Sequence, residues 1–168
     1  LGILAWLEAS GLAEWVRTST VGYPLMITAH AIGMAVMVGL AFLLDMRLLG
    51  MFRGIPFPAL HRFFMVARAG FAINFLSGVA LFTTEATTYV SDFMFVSKIA
   101  LVLAGAATAL WLQAAVGRGS TSWSDAVAPG AVRLVAVLSI LCWVGATITG
   151  RPVTWSTSAA SVATVSLT

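Results

Sequence analysis

Charge is scarce in this chain. Asp, Glu, Lys and Arg make up 9% of its 168 residues, and Lys98 is its single lysine. A soluble domain carries about 25% charged residues, so a water-covered globular surface is excluded. Cysteine is scarcer still: Cys142 stands alone, which rules out an intramolecular disulfide and leaves the redox compartment unread. HExxH, CxxC, GxSxG and a phosphate-cradling glycine loop are all missing, and no nucleophile–base pair points to hydrolysis. The net charge of +3 and pI near 9.8 come without any Lys/Arg cluster. Nucleic acid is therefore not an expected partner, and the basic excess reads as a topology signal.

Apolar length is what the chain has in abundance. Hydrophobic residues reach 60% and the mean hydropathy is +1.00, against roughly 45–50% apolar residues in soluble domains. Four stretches, about 21–49, 59–83, 93–116 and 131–150, each approach or exceed the ~20 residues a helix needs to cross hydrocarbon. They predict an all-α fold: a polytopic membrane protein forming a four-transmembrane-helix antiparallel bundle. With short loops, residues 1–168 make a single membrane domain whose first partner is the lipid bilayer. Residues 1–17 carry Trp6 and Trp15 beside Glu8, Glu14 and Arg17 and are too short to span. They predict an interfacial helix, broken or bent at Gly11. Thr18, Ser19 and Thr20 offer caps for the first span, with Pro24 in its first turn. Residues 151–168, rich in Ser, Thr and Ala, read as an irregular tail. The N-terminus lacks the positive region of a secretory signal, and Leu1 in place of Met fits a trimmed start.

The loops differ in charge. The first carries Arg47, Arg53 and Arg62, with Arg68 a little further on; the third adds Arg118, with Arg133 just beyond. The second carries Glu85 and Asp92 and no basic residue. The positive-inside rule then puts loops one and three in the cytoplasm of a bacterial inner membrane and both termini in the periplasm. Small residues four apart, Ala35 and Gly39, Gly105 and Ala109, Ala146 and Gly150, suit close helix packing within the bundle or with a partner.

Ionisable groups inside spans are costly and so are candidates for function. His30 lies about 13 Å into the first span at ~1.5 Å per residue. Met26 and Met34 sit one turn to either side, a soft set that would suit an axial ligand to haem b or a chlorin pigment, or a copper site. The alternative is a histidine hydrogen-bonded to a neighbouring helix, with the methionines filling gaps. His61 is at the other end, roughly 20–25 Å away along the normal, too far to be a second axial ligand. Lys98, Glu85 and Arg151 fall near His30 in depth and form a candidate outer cluster for a cofactor, quinone headgroup or small acid. Asp45 and Arg68, near the cytoplasmic ends of adjacent spans, predict a structural ion pair. Asn74 and Ser77 predict interhelical hydrogen bonds.

Several segments together resemble a family of small bacterial four-helix integral membrane proteins known as a domain of unknown function. They are Tyr23-Pro24, His30 and Gly39, then Asp45-Met46-Arg47-Leu48-Leu49-Gly50, a DxRLLG segment and the most specific part. Gly70-Phe71, Ser77-Gly78, Leu81-Phe82, Phe95, Lys98, Trp143 and Gly150-Arg151 complete the set, over roughly residues 15–155. The resemblance implies a four-helix bundle and singles out His30, Asp45, Arg47, Lys98 and Arg151. The family pattern has a histidine near the position of Gln113, where this chain carries glutamine. Two functional expectations follow. One is a non-catalytic accessory subunit docking onto a larger respiratory, photosynthetic or transport complex through partner subunits. The other is a haem- or pigment-binding redox protein using His30.

Overall fold

Residues 2–119, 123 and 128–149 are described by a computed structural model. Two short helices, α1 (Gly2–Glu8) and α2 (Gly11–Thr18), precede the first long one, α3 (Gly22–Leu48). A 3₁₀ turn (Phe57–Ala59) leads into α4 (Leu60–Phe82); then come α5 (Ala86–Ser91), α6 (Phe93–Gly119) and α7 (Gly130–Ile148). The long helices α3, α4, α6 and α7 are each long and apolar enough to cross a membrane, making this a multi-pass membrane bundle. Tail residues 151–168, with Arg151, and the small residue Gly150 lie outside the described residues.

The N-terminal segment is broken into two helices, the second starting at Gly11. Ser10 accepts a hydrogen bond from the Ala13 amide at 3.3 Å, and capping a new helix there ends the old one. Arg17 ties the pair to the bundle end, donating to the Glu8 carbonyl at 2.7 Å and the Thr84 carbonyl at 3.2 Å. The second interhelical connection holds α5, which the charge pattern did not suggest. Its free N-terminal amides are met from a distance: the Glu8 carboxylate accepts from both the amide and the hydroxyl of Thr87 at 2.7 Å each. Stacked Phe82, Tyr89 and Phe95 rings close that end.

Two helical hairpins build the membrane part. In the first, α3 lies along α4 with their backbones nearly touching: a Cβ on Gly33 would come within 2.6 Å of the Asn74 nitrogen, and one on Gly70 within 3.0 Å of the Met37 nitrogen. In lipid, where hydrocarbon is no less apolar than a side chain, this close approach is what favours helix association. In the second hairpin the Trp143 ring of α7 lies flat on Gly105 of α6, 2.9 Å from where a Cβ would be. Helices α3 and α7 join the hairpins, whereas α4 and α6 touch little. The bundle thus has three closed seams and one loose one. Of the small-residue pairs, Gly105 and Ala146 face inward, whereas Ala35 and Gly39 are exposed and pack against nothing inside the bundle.

The basic end is sealed by Leu44, Leu48, Phe57, Leu60, Leu112 and Val116. The DxRLLG segment is the end of α3. Gly50, at φ 100°, takes the left-handed position after the helix. The Met51 and Gly50 amides return to the Met46 and Arg47 carbonyls at 3.0 and 3.1 Å, a Schellman closure that favours glycine. Arg47 is 1% exposed; its Nε donates to the Ile55 carbonyl at 2.6 Å and its guanidinium lies 4.0 Å over the Phe57 ring. One side chain therefore folds the loop 49–59 back onto the helix.

Candidate functional site

His30 is a clasp between helices. Its Nδ1 lies 2.9 Å from the Asn74 carbonyl, and Asn74 Nδ2 donates to the His30 carbonyl, also at 2.9 Å. The Ser77 hydroxyl stands 3.4 Å from the same ring nitrogen while bonding the Ile73 carbonyl at 2.6 Å. The imidazole fits because Gly78 has no side chain: a Cβ there would lie 3.0 Å from His30 Cε1. A carbonyl can only accept, so Nδ1 carries the proton and Nε2 keeps the lone pair. Met26 and Met34 are half-buried one turn away on either side. Among the described residues no three His, Cys, Asp or Glu side chains gather as a metal centre.

The expected outer cluster is only partly assembled. Lys98 is half-buried and close enough for its charge to be felt at His30. Glu85 is exposed ahead of α5 and makes no ion pair with Lys98. Arg151 lies outside the described residues.

The Asp45–Arg68 ion pair does not form. Among the described residues the one ion pair is Arg17–Glu14, at 3.7 Å. Asp45 is 2% exposed in the bundle interior, whereas Arg68 is exposed and its nearest polar contact is the Met65 sulfur at 3.9 Å. The spacing argument placed both at one depth but could not see that they look into opposite sides of a cavity.

That cavity is the site. A chamber of about 110 Å³ opens between the helix midpoints and the basic end. Met37, Ala41 and Asp45 come from α3, and Ser139 and Trp143 from α7. The loose seam supplies the other wall, with Ala67, Arg68 and Phe71 on α4 and Ala106, Ala109 and Gln113 on α6. Most of the lining is apolar, but three polar atoms on the α3–α7 side are buried without a hydrogen-bond partner: Asp45 Oδ2, Ser139 Oγ and Trp143 Nε1. The Ser139 hydroxyl is the polar group nearest the Asp45 carboxyl across the α3–α7 seam. A second, more open groove of about 440 Å³, lined by His61, Arg68, Leu110, Gln113, Ala114 and Gly117, shares Arg68, Leu110 and Gln113 with the chamber and carries it toward the basic end.

Nearly all buried polar atoms in folded proteins find partners, so three orphans on residues that line one cavity set this region apart. Sequence reasoning found Asp45 but read it as structural, and missed Ser139 and the indole nitrogen. One signal was present: tryptophan favours the headgroup level, and Trp143 sits well inside an apolar stretch. No protein-family model, curated protein or solved structure matches the chain, and the chamber's chemistry rests on its own residues.

Proposed function

We propose that this protein is a non-catalytic membrane subunit that holds a small ligand inside the bilayer, in the chamber at the loose α4–α6 seam. The observation that carries this is a cavity of about 110 Å³ at that seam, lined by Asp45, Ser139 and Trp143, residues that also bury a polar atom each without a hydrogen-bond partner among the described residues. Polar atoms at membrane depth are retained for pairing or for function, and these have no hydrogen-bond partner among the described residues. Accessory status is supported by the missing catalytic motifs, and association with a partner's transmembrane helix by the outward-facing Ala35 and Gly39. The arginines of loops one and three support a cytoplasmic placement of the basic end, with the termini in the periplasm of a bacterial inner membrane. Kinship with the DxRLLG family is part of the same reading.

The test is retention. Protein purified in mild detergent is extracted and its bound small molecules are identified by mass spectrometry, beside Ala109→Leu, which fills the chamber from α6. A stoichiometric molecule present in the parent and lost in the folded variant supports the reading. Equal retention in both, or none beyond bulk lipid, overturns it.

A second reading has its own support. The Nδ1–carbonyl hydrogen bond orients His30 as metal-ligating histidines are oriented, with Nε2 left for the ligand. In that case haem or a pigment would be held at His30, away from the chamber. A Soret band that disappears in His30→Ala would establish it, and a colourless preparation from pigment-competent cells would overturn it.

A further inference from the structure

We infer that the outer groove of the α4–α6 seam binds the headgroup of an anionic phospholipid, with the phosphate on Arg68 and with His61 and Gln113 beside it. This site goes beyond the chamber and does not depend on the chamber holding a ligand.

Two helix faces make the groove. On α4, His61 and Arg68 are two turns apart and share a face. On α6, Leu110, Gln113, Ala114 and Gly117 follow the i, i+3, i+4, i+7 spacing of one stripe. Each run covers about 10 Å of helix. The α6 stripe ends in small residues, and a Cβ on Gly117 would meet nothing within 4 Å. The groove is therefore open where it nears the basic end, and its volume of about 440 Å³ leaves room for a phosphodiester.

Arg68 selects the charge. It lies about 12 Å along α4 from Leu60, within an apolar span, where an unpaired cation is costly. It is exposed and makes no ion pair among the described residues. Its Nη1 lies 3.9 Å from the Met65 sulfur, one turn nearer the basic end, so the side chain runs toward the headgroup level as long cationic side chains do. There its guanidinium offers a forked donor that matches phosphate oxygens, and the His61 ring and Gln113 amide add N–H groups. Basic pockets between membrane helices hold anionic headgroups in this way. No carboxylate among the described residues lines the groove to receive the ammonium of a zwitterionic head. Glu8, Glu14, Glu85 and Asp92 belong to the other end of the bundle, and Asp45 is 2% exposed in its interior. Arg62 and Arg118, next in sequence to His61 and Gly117, are exposed and add to the positive field. Toward the membrane centre the seam turns apolar, with Phe71, Ala106, Ala109 and Leu110. A polar head followed by an apolar chain fits that order, whereas a soluble phosphate uses only its first part.

The experiment is native mass spectrometry of the full chain in mild detergent, with equal amounts of a phosphatidylglycerol and a phosphatidylcholine of the same acyl chains. The phosphatidylglycerol is expected to bind about fivefold more tightly, the scale of one arginine's attraction for an anionic lipid surface. Arg68→Gln removes the guanidinium, and Gly117→Leu fills the groove with the charge unchanged; both should abolish the preference. Arg62→Gln, which removes an arginine outside the groove, should keep it. Circular dichroism checks that each variant is folded. Millimolar inorganic phosphate should leave the bound lipid in place. Equal binding of the two lipids by the parent would overturn the site. So would a preference that survives in both Arg68→Gln and Gly117→Leu, or one that falls as far in Arg62→Gln. Displacement of the lipid by inorganic phosphate would overturn the lipid assignment in favour of a soluble phosphate. The chamber is judged separately, by retention in Ala109→Leu, so either reading can fail alone.

Discussion

His30 and Asn74 hold each other by both ends: the imidazole Nδ1 lies 2.9 Å from the Asn74 carbonyl, and the Asn74 amide donates to the His30 carbonyl at the same distance. Each side chain thus reaches the partner helix's backbone, one turn from the Gly33–Gly70 approach. Asn74→Leu removes one of the two bonds and should lower bundle stability by about 1 kcal/mol, in the range of interhelical hydrogen bonds in lipid. Reversible unfolding in mixed micelles measures it; an unchanged midpoint would show that the clasp adds nothing.

The glycines make a sharper contrast. At Gly33 a methyl group would meet the Asn74 and Gly70 backbones at 2.6 and 2.8 Å, whereas at Gly39 it would meet nothing within 4 Å. Gly33→Ala should cost about 1–3 kcal/mol by forcing the helices apart. Gly39→Ala, on an exposed helical face, should be neutral or slightly stabilising because alanine is the better helix former. Equal effects at the two sites would contradict the described packing.

Glu8 supplies a pH dependence. Thr87 donates to its carboxylate from both amide and hydroxyl, and these bonds hold the Glu8 pKa below the usual value of 4.5. A carboxylate whose folded-state pKa is depressed contributes stability above its unfolded value and loses it as pH falls through the folded one. Docking of α1 on α5 should therefore weaken below pH 4.5. The protection of residues 2–8 against amide exchange, taken relative to the unstructured rate at the same pH, should fall there, and Glu8→Ala should show the reduced protection already at neutral pH.

Arg47 should tolerate no conservative replacement. Lysine keeps the charge but lacks the planar group that covers Phe57 while Nε reaches Ile55. Arg47→Lys should cost about 2 kcal/mol or more, the scale of a disrupted buried charge, and expose loop 49–59 to protease. A loop as resistant as the parent's would refute this role.

Orientation is testable through single cysteines. In a Cys142→Ser background, a membrane-impermeant thiol reagent applied to intact spheroplasts should label Thr88→Cys and spare Met51→Cys. The reverse pattern would invert the assignment made from the arginines.

The four long helices were legible because crossing hydrocarbon demands length and apolarity, and both are local properties of sequence. Ser19 ends α2 and its hydroxyl accepts from the Val21 and Gly22 amides at 3.2 and 3.1 Å, whereas the cap position of α3 is Val21, which has no side-chain bond to give. Asn74 bridges helices as a mid-membrane amide should. What failed depended on helix rotation. Asp45 and Arg68 share a depth, but depth does not say which way a side chain faces, and two charges on different walls of a cavity are not a pair. Ala35 and Gly39 had a spacing that suited the bundle or a partner's helix, and rotation is what turns them outward. Helix α5 was hidden because six residues capped by a carboxylate some eighty positions earlier leave no periodic trace.

Three tight seams and one slack one give the bundle the mechanics of a book. The hairpins are two stiff covers, each held shut along its own length by glycine, and α3 and α7 form the spine. Stiff covers on one spine have a single easy movement, the parting of their free edges, and here those edges are α4 and α6. Met37, Ala41 and Trp143 pack together where the hairpins meet, on the spine side. The width of the opening is thus set from the back of the molecule, and a change in the bulk of Ala41 should alter access from the lipid without touching either helix of the gap.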